Sequence, residues 1–172
     1  MTTDLVKCAV CGKTHTLDNS ELSFGLPDEI YTLAETERTA RCDINSDICA
    51  IDRNRFFVRG LLPLRVKGQR KKYCIGVWSE ISEDAFSRIY LRWRDPDQAN
   101  EPRLSGSLSN RLPLHRKNSV GLAVAIQLTG PNTRPEFYLE PTDHPLYLEQ
   151  AKGIDRHRAV EYSDRRRHDP KR

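Results

Sequence analysis

The clearest pattern of apolar and polar positions lies in the middle of the chain and predicts a β-hairpin. Residues 55–62 are rich in aromatic and β-branched side chains, which favour a strand, and residues 64–66 continue it. A basic turn at residues 67–72 separates this strand from a returning strand at 73–78. Gly60 interrupts the first strand, so we expect a bulge or bend there.

After the hairpin, the apolar residues follow the spacing of a helix instead of that of a strand. Ser82 is a typical helix N-cap, and the acidic residues Glu83 and Asp84 suit the positive end of the helix dipole. The apolar positions that follow lie on one predicted helical face: Ala85, Phe86, Ile89, Tyr90 and Trp93. Residues 82–93 therefore predict an amphipathic helix.

A second helix start lies near the C-terminal end of the chain. Thr142 or Asp143 would cap this helix, Pro145 suits its first position, and Gly153 would close it. These signals predict a helix at residues 146–151.

Three further strand candidates complete the pattern, at residues 104–110, 120–128 and 136–140. A short charged helix is predicted at residues 33–41. Strands joined by short loops, with few helices, predict an α+β fold with a mainly antiparallel sheet.

Charge divides the chain into a near-neutral body and a basic end. Of a net charge of +4, residues 155–172 hold seven Lys and Arg against four Asp and Glu, which leaves 21 basic and 20 acidic residues in 1–154. At 172 residues the chain suits one domain, which we expect to span 1–154. Residues 155–172 are expected to form a basic, flexible C-terminal tail with a charged helix at 155–167, a candidate for weak nucleic-acid binding.

Candidate metal chemistry begins with Cys8 and Cys11. Two thiols separated by two residues can bind one tetrahedral ion, and Gly12 lets the backbone turn beneath the sulfurs. This segment resembles a zinc knuckle, and the ligands we expect for a structural zinc are Cys8, Cys11, His15 and Cys49. Four cysteines, with Cys42 in place of His15, are the alternative. Simple burial as small apolar residues explains Cys42 and Cys49 equally well, and it is the expected state of Cys74.

Two other groups of residues have a chemical and a structural interpretation. Asp143 and His144 are neighbours, and a histidine oriented by a carboxylate can act as a general base. Adjacent side chains point in different directions, which argues against a carboxylate–histidine pair. A helix start explains the same two residues. Tyr73 and Trp78 beside the basic turn at 67–72 could stack on single-stranded nucleic acid. The alternation of Trp78 with apolar residues favours a core position instead.

Five segments of the chain resemble the uncharacterised bacterial family known as domain of unknown function 2199. They span almost the whole length and lie at residues 8–15, 47–52, 56–60, 76–82 and 139–146. The resemblance implies a single domain that ends near Gly153, and it supplies no activity.

We therefore expect a cytoplasmic bacterial protein that acts as a zinc-stabilised binding or protein-interaction module. The N-terminus lacks the pattern of a secretory signal, and no stretch approaches the ~20 apolar residues needed to cross a bilayer. Five cysteines, an odd number, suit a reducing compartment. The alternatives are a hydrolase-like enzyme that uses His144 or a metal ion with an open position, and a weak nucleic-acid binder that uses the basic tail.

Overall fold

The structure, a computed structural model, describes residues 5–7, 12, 14–16 and 21–168; for 5–7, 15–16 and 166–168 it gives the backbone alone. The described strands are β1 Leu5–Lys7, β2 Thr14–Thr16, β3 Cys42–Ile44, β4 Ile48–Ile51, β5 Arg55–Leu64, β6 Tyr73–Ile81, β7 Leu104–Leu108, β8 Ala123–Gln127 and β9 Glu136–Leu139. The described helices are α1 Asp28–Thr32, α2 Glu35–Arg41, α3 Glu83–Arg92, α4 Pro145–Lys152 and α5 Arg156–His168, with a 3-10 turn at Gln98–Asn100. None of these helices is long and apolar enough to cross a membrane.

Strands β5 to β9 form a closed barrel of five strands. Successive strands pair antiparallel, as in the predicted hairpin, where Leu64 of β5 lies opposite Tyr73 of β6. Leu61 of β5 pairs in parallel with Glu136 of β9 and closes the ring. An odd number of strands that alternate in direction brings the first and last together in the same direction, so the closing pair must be parallel. The α+β prediction is confirmed, and the sheet is mixed, with a parallel pair that the prediction lacked.

Strands β3 and β4 extend the sheet beyond the barrel. Strand β4 pairs with the first half of β5, from Arg55 to Val58, whereas β9 meets the second half of β5. Strand β3 pairs with β4 and, in the part of the chain that the structure describes, forms the outer edge of the seven-stranded sheet. Strand β5 therefore serves both the barrel and this extension.

The core has one layer inside the barrel and a second layer outside it. Because side chains alternate across a strand, one face of each barrel strand points inward. This inward face carries ten buried apolar residues: Val58, Leu62, Leu64, Ile75, Val77, Leu108, Val124, Ile126, Phe137 and Leu139. On the outer face, Trp78 is fully buried beneath residues 22–24, which run beside β6, and its indole Nε1–H donates to the Phe24 carbonyl at 3.1 Å. The core interpretation of Trp78 is confirmed.

Gly60 lies in a regular part of β5 and allows close packing against Phe137, and it does not form a bulge. The register of β5 against β6 runs without a break from Arg59 opposite Trp78 to Leu61 opposite Gly76, so the predicted bulge is wrong. A Cβ atom on Gly60 would lie 2.4 Å from the Phe137 ring and 2.8 Å from the Pro135 carbonyl oxygen. The barrel therefore uses this glycine to admit an aromatic side chain from β9.

Helix α3 starts as predicted and buries a narrower face than predicted. The Ser82 hydroxyl accepts a hydrogen bond from the backbone N–H of Ala85 at 3.1 Å. Ala85 and Ile89 are buried, but Tyr90 is 65% exposed, so its predicted place on the buried face is wrong. Successive residues are about 100° apart around a helix, which carries Tyr90 past the edge of the buried stripe.

Helix α4 has a different cap from the predicted one. The ring Nδ1 of His144 accepts the backbone N–H of Leu146 at 3.1 Å, so His144, rather than Thr142 or Asp143, is the N-cap. Pro145 occupies the first turn and Gly153 follows the helix, as predicted.

Helix α5 packs on the barrel and joins the same core. Ala159 is 8% exposed and Tyr162 is fully buried. Residues 156–163 therefore belong to the packed body, although their charge marked them in the sequence as part of a tail. Flexibility beyond about residue 165 stays a prediction, since residues 169–172 lie outside the described part of the chain.

Candidate functional site

The predicted zinc ligands fall partly outside the described residues. Cys8 and Cys11 lie in the undescribed stretch between β1 and β2, and His15 lies in β2, where the backbone alone is given. Strands β1 and β2 pair antiparallel, with Lys7 opposite Thr14, so residues 8–13 connect the two arms of a hairpin. The four-ligand set stays a prediction.

Cys49 lies in β4 as part of the hydrophobic core. Its residue is 1% exposed, and burial raises the pKa of its thiol to about 12. Cys42 is half-buried at the start of β3, and burial also raises the pKa of its thiol. Zinc binds the thiolate form, so each thiol would have to lose its proton in order to bind the ion. Within the described ranges, no three His, Cys, Asp or Glu side chains are grouped so as to hold a metal ion.

The structure separates Asp143 from His144. The Asp143 carboxylate accepts from Lys117 Nζ at 2.6 Å, and its side chain is 87% exposed. Both ring nitrogens of His144 bond to backbone: Nδ1 accepts from Leu146, and Nε2 lies 3.2 Å from the Lys117 carbonyl oxygen. Since Nδ1 accepts, Nε2 must carry the proton and donate. His144 thus acts as a helix cap, in agreement with the structural interpretation of the pair.

A buried polar network links α4, α5 and the loop before β8. Tyr162 donates its hydroxyl to the Glu149 carboxylate, and His115 Nε2 lies 2.9 Å from the same hydroxyl oxygen. Because Tyr162 donates to Glu149, His115 must donate to Tyr162. Arg158 Nε donates to the other oxygen of Glu149 at 2.6 Å. The side chains of His115 and Glu149 are 2% and 16% exposed, so the network is enclosed and acts as a tie between elements.

Sequence reasoning missed this network because its members are far apart in the chain. His115 and Glu149 are 34 positions apart, and each is an ordinary polar residue in its own segment. Burial raises the pKa of Glu149, but the nearby His115, whose Nε2 lies 3.4 Å from the carboxylate, and the hydrogen bonds from Tyr162 and Arg158 outweigh burial and hold the pKa below its ordinary value. The carboxylate is therefore favoured in the folded protein.

This pKa shift predicts an acid dependence of stability. A carboxyl with a lower pKa in the folded state stabilises the fold above its unfolded pKa, and that stability is lost as the pH falls through the folded pKa. Glu149→Gln should therefore unfold more easily at neutral pH and lose less stability than the wild type between about pH 5 and pH 3. Urea unfolding at neutral pH, at about pH 5 and at about pH 3 measures this difference in stability, with the exposed Glu140→Gln as control. Parallel pH profiles of the wild type and Glu149→Gln would contradict the assignment.

A groove in the surface lies between α3 and the β3–β4 hairpin. It consists of two neighbouring hollows of about 460 and 610 Å³, whose linings share Asn45 and Ile48. The apolar lining of the first hollow includes Ile48, Ala50, Phe56 and Phe86. Tyr90, Leu91 and Trp93 line the second. We call this depression the α3 groove.

Asp47 holds one wall of the α3 groove in place. Its carboxylate accepts from Arg134 Nε at 2.7 Å and from the Ser46 hydroxyl at 2.6 Å, and its carbonyl accepts the backbone N–H of Arg59 at 2.8 Å. Burial raises the pKa of Asp47, but the Ser46 and Arg134 hydrogen bonds outweigh it and lower the pKa. The β3–β4 turn is therefore tied both to β5 and to the loop before β9.

One comparison with known proteins identifies relatives of this chain. A model of the bacterial family DUF2199, described as an uncharacterized protein conserved in bacteria, matches residues 7–154. The match includes the barrel and the α3 groove and stops before α5. No curated protein and no solved structure matches the chain.

Proposed function

We propose a function for this chain, which belongs to the bacterial family DUF2199, from the geometry of its surface. We infer that it is a zinc-stabilised module that binds another protein in the bacterial cytoplasm. The observation that carries the proposal is the α3 groove, where Tyr90 and Leu91 are 65% and 79% exposed. Neighbouring exposed apolar side chains beside a hollow are characteristic of protein-binding surfaces.

A hydrolase that uses His144 has less support. Both ring nitrogens of His144 are committed to backbone groups, which leaves neither of them to accept a proton from a substrate. The cytoplasmic part of the proposal is supported by the free thiols of Cys42, Cys49 and Cys74, which suit a reducing compartment.

The zinc part of the proposal rests on the β1–β2 hairpin. Gly12 has a φ of +69°, the left-handed backbone that a tight turn after Cys11 requires. We propose that Cys8, Cys11 and His15 bind the ion from this hairpin and that Cys49 is the predicted fourth ligand. If Cys49 binds, its thiol must lose the proton that burial in the core favours. A zinc ion held by four protein ligands has a structural role.

We expect the purified protein to carry about one zinc ion per chain. Cys11→Ser should lose the metal and lower the melting temperature, because the free energy of metal binding contributes to folding. Elemental analysis and a thermal melt measure both effects, with Cys74→Ala as the control that retains zinc. A wild-type protein with less than about a tenth of an equivalent of zinc would refute the metal site. Cys49→Ala decides the fourth ligand, since retained zinc would exclude Cys49.

Protein binding itself is tested by cross-linking in a bacterial host. The tagged chain should enrich a defined protein over the tag alone, as mass spectrometry of cross-linked material would show. A chain that enriches nothing beyond the tag would contradict the binding function.

A further inference from the structure

We propose that the α3 groove binds an extended peptide segment of a partner protein that carries apolar side chains flanked by acidic residues. This inference deepens the proposed function and rests on it. It assigns the surface, the backbone conformation of the partner segment and the charge that the segment carries.

The open edge of β3 favours an extended peptide. In an antiparallel pair, every second residue exchanges hydrogen bonds with the partner strand. The Asn45 N–H bonds to the Ile48 carbonyl and the Asp52 N–H to the Arg41 carbonyl, so the backbone groups of the intervening Cys42 and Ile44 point away from β4. The Cys42 N–H is accepted by the Arg38 carbonyl. The Cys42 carbonyl and both backbone groups of Ile44 thus face outward along an edge with which no other described strand pairs, and a peptide strand can pair with them there.

The groove beside this edge favours apolar side chains. Ala50 and Phe56 lie opposite each other on neighbouring strands and therefore share one face of the sheet. Phe86 of α3 packs on Phe56 with 4.8 Å between ring centroids and forms the far wall. A peptide paired with β3 directs alternate side chains to this face of the sheet.

The charges that border the groove favour an acidic partner. Asp47, an acidic residue of the second hollow, is neutralised by Arg134 at 2.7 Å. Arg94 lines the same hollow, and no ion pair to it is found among the described side chains. Arg53 lines the first hollow and meets Asp43 at 3.9 Å, with both side chains more than three-quarters exposed. Each end of the groove thus presents a weakly compensated guanidinium, which pairs best with carboxylates.

The groove is held ready for binding in the free protein. The Asp47 bonds fix the β3–β4 turn, and the Ser82 cap together with buried Ala85 and Ile89 fixes α3. Binding of a partner therefore costs little free energy for ordering the two walls.

The test uses a phage library of random peptides of about 12 residues, selected on the purified full chain. Selected peptides should carry apolar residues flanked by acidic ones, and labelled synthetic copies give affinities by fluorescence anisotropy. Leu91→Asp and Arg94→Glu should each weaken binding by about tenfold or more. Ile44→Pro removes an outward N–H and should have a similar effect. The matched control is Leu148→Asp on α4, an equally drastic change at a site 46% exposed outside the groove, which should leave affinity within about twofold.

Several outcomes would overturn the groove assignment. Selected peptides that lack acidic residues, or that bind Leu91→Asp and Arg94→Glu as tightly as the wild type, would do so. An empty selection would also overturn it, as would a wild-type dimer that Leu91→Asp converts into a monomer, because the groove would then be a self-association surface. Thermal melts verify that each variant is folded, and Arg94→Glu changes an exposed side chain that the fold does not need.

Failure of the groove and failure of the binding function are distinguishable. If Leu91→Asp still enriches the same cross-linked partner as the wild type, the binding function stands and the groove assignment falls. If the wild type enriches no partner, the binding function falls.

Discussion

Replacement of Tyr162 by alanine is expected to lower the free energy of unfolding by about 3–5 kcal/mol, the usual cost of removing a large buried aromatic side chain. Tyr162 is fully buried, and its ring packs against Tyr73 with 6.1 Å between centroids. Its removal leaves a cavity and also removes the hydrogen bond that the Tyr162 hydroxyl donates to the Glu149 carboxylate. Since whole domains are stable by only about 5–15 kcal/mol, this change should bring the protein close to unfolding at 37 °C.

Urea unfolding measures this effect against two controls. Tyr162→Phe keeps the ring and loses the hydroxyl, so it should cost about 1–3 kcal/mol through unsatisfied polar groups. Tyr90→Ala removes the same side chain from the exposed side of α3 and should change stability by about 0.5 kcal/mol or less. A Tyr162→Ala protein as stable as Tyr90→Ala would show that α5 does not dock on the barrel.

A chain that ends at Asp164 retains Tyr162 and should melt close to the full-length protein.

Gly60→Ala is expected to cost about 3 kcal/mol, at the upper end of the usual range for overpacking a core. The new methyl group would lie 2.4 Å from the Phe137 ring and 2.8 Å from the Pro135 carbonyl oxygen. Phe137 is fully buried, and Leu61 N–H donates to the Pro135 carbonyl at 2.9 Å, so neither neighbour can move freely. The clash falls beside the parallel pair that closes the barrel.

A double mutant separates this clash from any effect of glycine on the unfolded chain. Phe137→Leu removes the ring atoms that the new methyl group would strike, so Gly60→Ala should cost clearly less in that background than in the wild type. Equal costs in the two backgrounds would contradict the packing explanation. Gly68→Ala is a poor control because Gly68 has a positive φ, whereas Gly60 needs its small size alone.

The local elements of this fold were accessible from the sequence. The β5–β6 hairpin follows from aromatic and β-branched residues on both sides of a basic turn, and Ser82 marks the start of α3 through its own hydroxyl. Tyr90 was misplaced because periodicity locates a helical face but not its width, which depends on what the helix packs against. The cap of α4 was misplaced because His144 caps with a ring nitrogen, which is less common than a hydroxyl or carboxylate cap.

Among the candidate sites, only the one whose residues are neighbours in the chain could be predicted from the sequence. The cysteine spacing predicts a zinc knuckle, and it does so without the structure because the two thiols are neighbours in the chain. The α3 groove had no signal, since its walls are more than 30 residues apart and its exposed Tyr90 was predicted to be buried. No local sequence pattern indicates the network of His115, Glu149 and Tyr162 either.

The sequence by itself determined the order and type of the main strands and helices, because hydrophobic period, turn residues and caps act over a few neighbouring positions. The tertiary structure alone decided that five strands close into a barrel, that the closing pair is parallel, and that α5 packs on the body despite its charge. It also decided where Gly60 must admit Phe137 and where α3 leaves a groove. These features depend on contacts between residues distant in the chain, whose free energies exist only once the chain has folded.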